Sequence, residues 1–209
     1  MDPARRRLTI GLGAAAIAGA GPLLMGNATG ILPPKPAIAP TAPAGAAAPA
    51  MPRSSRTVSD TRRLYVRSLH TGETLDAVYY ENGGYVPGVL ASAMQVLRDW
   101  RNGLEHYMEP RLFDTLHRIH ASLEANAPFQ IISGYRSKQT NDMLHARSKG
   151  VASSSQHTLG KAVDIRLEGV ELIRLHRAAL ALRAGGVGLY PVSNFVHVDV
   201  GPVRRWSGI

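Results

Sequence analysis

Residues 31–58 read ILPPKPAIAPTAPAGAAAPAMPRSSRTV, and this stretch confines folding to the residues C-terminal to it. Pro and Ala dominate it, and no apolar face recurs at a helical or strand period. Such a segment buries too little to offset the entropy of ordering it, so an extended tether is expected. Before it stand Arg5, Arg6, Arg7 and Leu8, then TIGLGAAAIAGAGPLLM. A positive start followed by a mildly apolar run has the shape of an export signal. An arginine pair ahead of an apolar residue matches the twin-arginine pattern, which implies a folded cargo delivered to the periplasm. The four glycines and one proline of the run make it a poor membrane helix. Cleavage fits the small residues ending at Ala28 or at Ala50; an uncleaved signal would instead hold the chain at the membrane. The expected organisation is an export signal over 1–28, a Pro/Ala-rich tether over 29–60 and one folded domain over 61–209.

That domain can contain no disulfide, cysteine nucleophile, thiolate zinc finger or iron–sulfur cluster, because none of the 209 residues is cysteine. Any metal must be held by His, Asp or Glu. Residues 1–50 carry Arg5, Arg6, Arg7 and Lys35 against Asp2, a net +3 of the total +9, which leaves +6 on residues 51–209. A basic domain favours anionic partners, whether nucleic acid, phospholipid or an acidic wall polymer. The basic residues are scattered and aromatics make up only 6% of the chain. Without a basic helix interleaved with aromatics, nucleic acid is not the expected partner.

Within the domain, 64–69 and 74–80 are short runs rich in β-branched and aromatic residues, separated by His70-Thr71-Gly72-Glu73, and they predict a hairpin. Leu90, Met94, Leu97 and Trp100 recur at helical spacing, as do Leu112, Leu116, Ile119 and Leu123 after Pro110. Residues 129–132 predict a strand. Ser137 is a suitable N-cap for a helix to about Ser148, stopped by Gly150. Residues 162–167 predict a strand. Leu172, Leu175, Ala179 and Leu182 mark a helix closed by Gly185 and Gly186, and short strands are expected at 187–189 and 195–200. No internal repeat is present. Uneven clustering of helices and strands predicts an α+β fold with a small, mostly antiparallel sheet flanked by helices.

Three stretches hold the candidate chemistry: ISGYRS at 132–137, SSQHTLGKAVDI at 154–165 and NFVHVD at 194–199. Gly160 permits a turn between His157 and Asp164, so an imidazole and a carboxylate can converge, with His197 supplying a second imidazole from another strand. Two histidines and a carboxylate leave a fourth position for water, which is how catalytic zinc sites are built. On residue types alone the same residues also fit hydrogen-bonded strand histidines and a turn carboxylate. His117, His120 and Glu124 lie at helical spacing but off the apolar stripe, and read as a solvated polar face. His70 fits either a cleft-shaping residue or a plain turn histidine. Gly185, Gly186 and Gly188 read as a helix stop and strand entry, since no Lys-Ser or Lys-Thr follows to make a phosphate loop.

The full text of these stretches is more specific. Ser155-x-His157-x-x-Gly160-x-Ala162-x-Asp164, the preceding Ser133-Gly134-Tyr135-Arg136-Ser137 and the later His197 together resemble the zinc D-Ala-D-Ala metallopeptidases, which share their fold with the hedgehog signalling domain. LHTGE at 69–73, ARSKGVA at 146–152, RAGGVG at 183–188 and SNFVHVDVGPVRRW at 193–206 extend the likeness over residues 64–206, closest to the YcbK-like, MepK-type murein endopeptidases. A twin-arginine signal ahead of the domain is also similar to that subgroup.

The resemblance implies one zinc ion per domain, with His157, Asp164 and His197 as ligands. It implies Arg136 beside the substrate, binding a carboxylate or stabilising an oxyanion. The implied activity is hydrolysis of peptide cross-links in peptidoglycan by metal-activated water, with D-Ala-D-Ala carboxypeptidase action as an alternative. Other branches of the superfamily place a catalytic carboxylate or histidine two or three residues before the last zinc histidine; here Phe195 and Asn194 stand there. That departure leaves a non-catalytic, zinc-stabilised wall-binding or regulatory module as a further alternative. Asp199 leaves the strand on the same face as His197. It is the candidate catalytic base, or else it orients a ligand.

Overall fold

The computed structural model describes residues 60–148 and 150–208. The expected export signal, and the tether up to residue 59, lie outside the described residues.

The hairpin forms as β1 (Arg62–Ser68) and β2 (Thr74–Glu81), joined through Gly72 in the left-handed region. A two-residue β3 (Gly84–Tyr85) adds to β2, and helix α1 (Pro87–Val96) follows. The pattern predicts α1 to run on to Trp100, but the helix stops before Leu97. Residues 99–103 turn back on themselves: the Gly103 amide donates to the Asp99 carbonyl at 2.7 Å, and Gly103 takes a left-handed φ of 74°. Helix α2 (Pro110–Ser122) begins on Pro110, whose missing amide costs nothing in a first turn. Its Leu112, Phe113, Leu116 and Ile119 face the core.

Next come β4 (Phe129–Ser133) and α3 (Lys138–Arg147), which starts where Ser137 accepts from the Thr140 amide at 3.2 Å. A 3-10 turn (Gln156–Leu159) leads into β5 (Ala162–Leu167), then α4 (Leu172–Leu182), β6 (Gly186–Tyr190), β7 (Phe195–Asp199) and β8 (Arg204–Ser207). Helix α4 ends with Arg183 in the left-handed region rather than at the glycine pair. Gly185 is needed for a different reason, since a Cβ there would collide with the Asp199 carbonyl.

The strands form an eight-stranded mixed sheet in the order β3-β2-β1-β4-β5-β7-β6-β8. The β1–β4 and β6–β8 pairings are parallel and the others antiparallel. The α+β expectation holds, and the sheet is wider than expected because β3 and β8 flank it. Alternation then separates two faces. Val163, Ile165 and Leu167 of β5, with Val196 and Val198 of β7, join the core, where α4 packs on these strands and α2 packs on β1 and α4. Asp164, His197 and Asp199 occupy the alternate positions and face the other side. No helix among the described residues is long and apolar enough to cross a membrane.

Candidate metal centre

His157, Asp164 and His197 come from three separate stretches, and backbone pairing brings them together. Asp164 and His197 are direct partners in the β5–β7 ladder. His157 rides on the 3-10 turn, where Ser155 accepts from its amide and Gly160 closes the turn at a φ of 64°. A side chain at 160 would also collide with the Tyr107 carbonyl, so glycine is required on two grounds.

Three donor atoms form a triangle. His157 Nε2 lies 3.2 Å from Asp164 Oδ1 and 3.1 Å from His197 Nδ1, and the third edge is 2.9 Å. All three residues are buried. Donors around a tetrahedral ion with bonds of about 2.0–2.2 Å stand roughly 3.3–3.6 Å apart, so the triangle is already close to that size.

The hydrogen-bond partners set which nitrogen is free. His157 Nδ1 is 2.8 Å from the Gly134 carbonyl, which can only accept, so Nδ1 carries the proton and Nε2 presents a lone pair. His197 Nε2 is 3.0 Å from Asp199 Oδ2, which keeps a proton on Nε2 and leaves Nδ1 as the nitrogen free to bind a cation. Two imidazole nitrogens and a carboxylate oxygen therefore converge, a donor set suited to a cation such as zinc. Burial pushes the His157 pKa down, which keeps the ring neutral for coordination. Burial opposes ionisation of Asp164, but the two imidazoles outweigh it and hold the carboxyl well below the usual range. Burial likewise opposes charge on His197, but Asp164 and Asp199 outweigh it and raise its pKa. The pocket thus accommodates positive charge.

Arg136 reaches the same place from the loop after β4. It is only 9% exposed, and its Nη2 lies 3.7 Å from Asp164 Oδ2. Burial lowers its pKa, Ser133 and Asn141 accept from it, and its buried Nε has no partner. Arg136, His157, Asp164 and His197 line a cleft of about 780 Å³, walled also by Tyr190, Phe195 and Trp206. Asp164 is the only carboxylate among the described residues of that lining.

Asp199 does not join the lining. It is 1% exposed, and both oxygens are engaged: Oδ1 accepts from the Gly186 and Gly201 amides at 2.9 and 2.8 Å, and Arg204 donates to both oxygens. Burial works against its charge, but His197, the two amides and Arg204 hold its carboxyl well below the usual range.

The other candidates lie elsewhere. His70 stacks on Trp100 at 4.0 Å and meets the Ile132 carbonyl, outside the cleft lining. His117 and His120 each meet a backbone carbonyl, of Arg63 and Ala127, and stay half-buried rather than fully solvated. Three contributors escape sequence reasoning: the Gly134 carbonyl, Arg204, and Asp99. Asp99 is buried and accepts from the amide and hydroxyl of Ser137, which anchors the loop carrying Arg136. A backbone carbonyl leaves no sequence signal, and nothing in RDWRNG distinguishes Asp99 from a turn carboxylate.

Residues 56–206 match the family model described as Peptidoglycan L,D-endopeptidase MepK. The chain is 48% identical over 145 residues to the peptidoglycan L,D-endopeptidase MepK of Escherichia coli K12, covering 69% of this chain and 80% of that protein. The figures are the same for the protein of that name from Shigella flexneri. Identity is 44% over 149 residues, 71% of this chain and 80% of the relative, for a Haemophilus influenzae protein named probable peptidoglycan L,D-endopeptidase MepK. No solved structure matches the chain significantly.

Proposed function

This chain belongs to the peptidoglycan L,D-endopeptidase MepK family, and from that premise we propose that it hydrolyses an L,D peptide bond of peptidoglycan cross-links at a zinc ion held by His157, Asp164 and His197. It is a peptidase acting on peptidoglycan, and this sets aside the non-catalytic module. The observation that carries the zinc reading is the buried triangle of converging donor atoms. Zinc, when bound, supplies Lewis-acid chemistry that makes water nucleophilic near neutral pH and polarises the scissile carbonyl.

The protein's own groups supply the rest. Gly134 and Asp199 hold the two imidazoles in the tautomers that present their lone pairs. Arg136 lines the cleft beside Asp164, and this supports its role in stabilising the oxyanion that develops as the carbonyl is attacked. Of the two roles open to Asp199, positioning His197 is favoured. Its oxygens already accept five hydrogen bonds within the protein, which leaves no ready site for a substrate proton.

Purified murein should be solubilised by the protein, lose that activity on addition of a chelator, and regain it when zinc is restored. Turnover unaffected by a strong chelator would overturn the metal reading.

The reading extends to delivery: residues 1–28 as a twin-arginine signal, residues 29–60 as a tether, residues 61–209 as the enzyme domain, and the periplasm as its place of work. Arg5, Arg6 and Arg7 support this. Replacing all three by Lys should trap the protein in the cytoplasmic fraction. Continued export of the triple variant would refute the twin-arginine route.

A further inference from the structure

We propose that Arg204 is a positioning residue for the metal centre: its guanidinium clamps Asp199, so that Asp199 holds the Nε2–H of His197 and turns His197 Nδ1 into the donor triangle. The inference rests on the reading of His157, Asp164 and His197 as ligands.

Asp199 is a fully buried carboxylate, and a buried charge needs a counter-charge. Arg204 supplies it in forked form, with Nη2 at 2.7 Å from Oδ2 and Nη1 at 3.2 Å from Oδ1. The Gly186 and Gly201 amides both bind Oδ1, which fixes one oxygen but leaves the carboxylate plane free to turn. Contact with both oxygens fixes that plane, and with it Oδ2, the atom that accepts from His197. Lysine is a point charge and cannot reproduce the fork.

The fold is shaped around this contact. In the parallel β6–β8 ladder Arg204 pairs with Gly186 and Trp206 with Gly188. A Cβ on Gly186 would lie 2.5 Å from Asp199 Oδ2 and 2.6 Å from Arg204 Nη1, so glycine leaves the gap through which the ion pair forms. A Cβ on Gly188 would lie 2.5 Å from the Trp206 ring. Trp206, tied to the Tyr190 hydroxyl at 2.9 Å, packs 5.0 Å from the Arg204 guanidinium and 5.2 Å from the His197 ring. Strand β8 thereby delivers the outermost link of a chain running Arg204, Asp199, His197.

The test measures zinc affinity by chelator competition for Arg204→Ala, Arg204→Lys, Asp199→Asn and the double variant Asp199→Asn/Arg204→Ala. Arg204→Ala should weaken zinc binding about 10-fold, and Asp199→Asn about 10–100-fold, the range of outer ligand partners. Arg204→Lys should fall between Arg204→Ala and the parent. In the Asp199→Asn background, removing Arg204 should add less than about twofold, because both changes break one chain of contacts. Unchanged affinity in Arg204→Ala, or fully additive losses, would overturn the proposal; additive losses would show that Arg204 acts on the metal site independently of Asp199. If Arg204→Ala fails to fold through its unpaired buried carboxylate, Arg204→Lys and the double variant carry the comparison. Proton NMR of the metal-free protein separates this inference from the zinc reading. A slowly exchanging His197 Nε2–H should be present in the parent and lost in Arg204→Lys. Its persistence there refutes the clamp, whereas a parent that takes up no zinc refutes the ligand assignment and leaves the ring proton to judge Arg204.

Discussion

His157→Ala is expected to strip the protein of both zinc and activity while leaving it folded. The ring supplies one corner of the donor triangle, and its loss leaves one imidazole and one carboxylate to hold the ion. Three protein ligands are the usual minimum for a catalytic zinc, so occupancy should fall from about one ion per chain to below roughly a tenth. Turnover should drop by more than about 10⁴-fold, since the ion supplies both Lewis acid and nucleophile to a rate enhancement of at least about 10⁶. The sheet does not depend on this ring. His157 stands on a 3-10 turn, and its side-chain tie to the protein outside the triangle is the bond to the Gly134 carbonyl. Elemental analysis, circular dichroism and murein digestion on one preparation decide the matter. A variant that kept its metal content would remove His157 from the ligand set.

Arg136→Gln should leave zinc in place and lower kcat by about 10²–10³-fold, the cost of one oxyanion donor. KM should change by less than about threefold, because a donor that meets charge developing in the transition state contributes little to ground-state binding. Two features direct this prediction: the place of Arg136 in the cleft lining, and its 3.7 Å approach to Asp164. Arg136→Lys should recover only part of the rate, since a point charge replaces a planar fork. A rise in KM with kcat unchanged would reassign Arg136 to binding a substrate carboxylate. Loss of zinc from either variant would show that Arg136 supports Asp164 instead of the substrate.

The ligand candidates were readable in the chain because chemistry restricts residue type at those positions. With cysteine absent, histidines and a carboxylate flanking a glycine turn are what a metal could use, and the surrounding motifs were long enough to be specific. Element positions followed where periodicity and end signals agreed, as at Ser137 and Pro110. They failed where spacing continued past a turn. Leu97 and Trp100 extend the pattern of α1, yet Gly103 and the turn at Asp99 end the helix first. They failed again where a strand is short and charged: Arg204-Arg205-Trp206-Ser207 shows no apolar alternation, and only pairing with β6 makes it a strand.

The sequence alone named the candidate donors, because donor atoms belong to residue types and a glycine turn is a local matter. Tertiary structure decided what those donors face. The β5–β7 register sets Asp164 against His197, and the Gly134 carbonyl, 23 residues from His157, chooses that imidazole's tautomer. Asp199 was open to two roles in the chain, since its spacing from His197 says only that the two share a strand face. The cage of Gly186, Gly201 and Arg204 is assembled from β6, the end of β7 and β8, and it turns the carboxylate toward His197 Nε2 and away from the cleft. Hydrogen bonds between strands depend on register and burial, and neither exists until the sheet has formed.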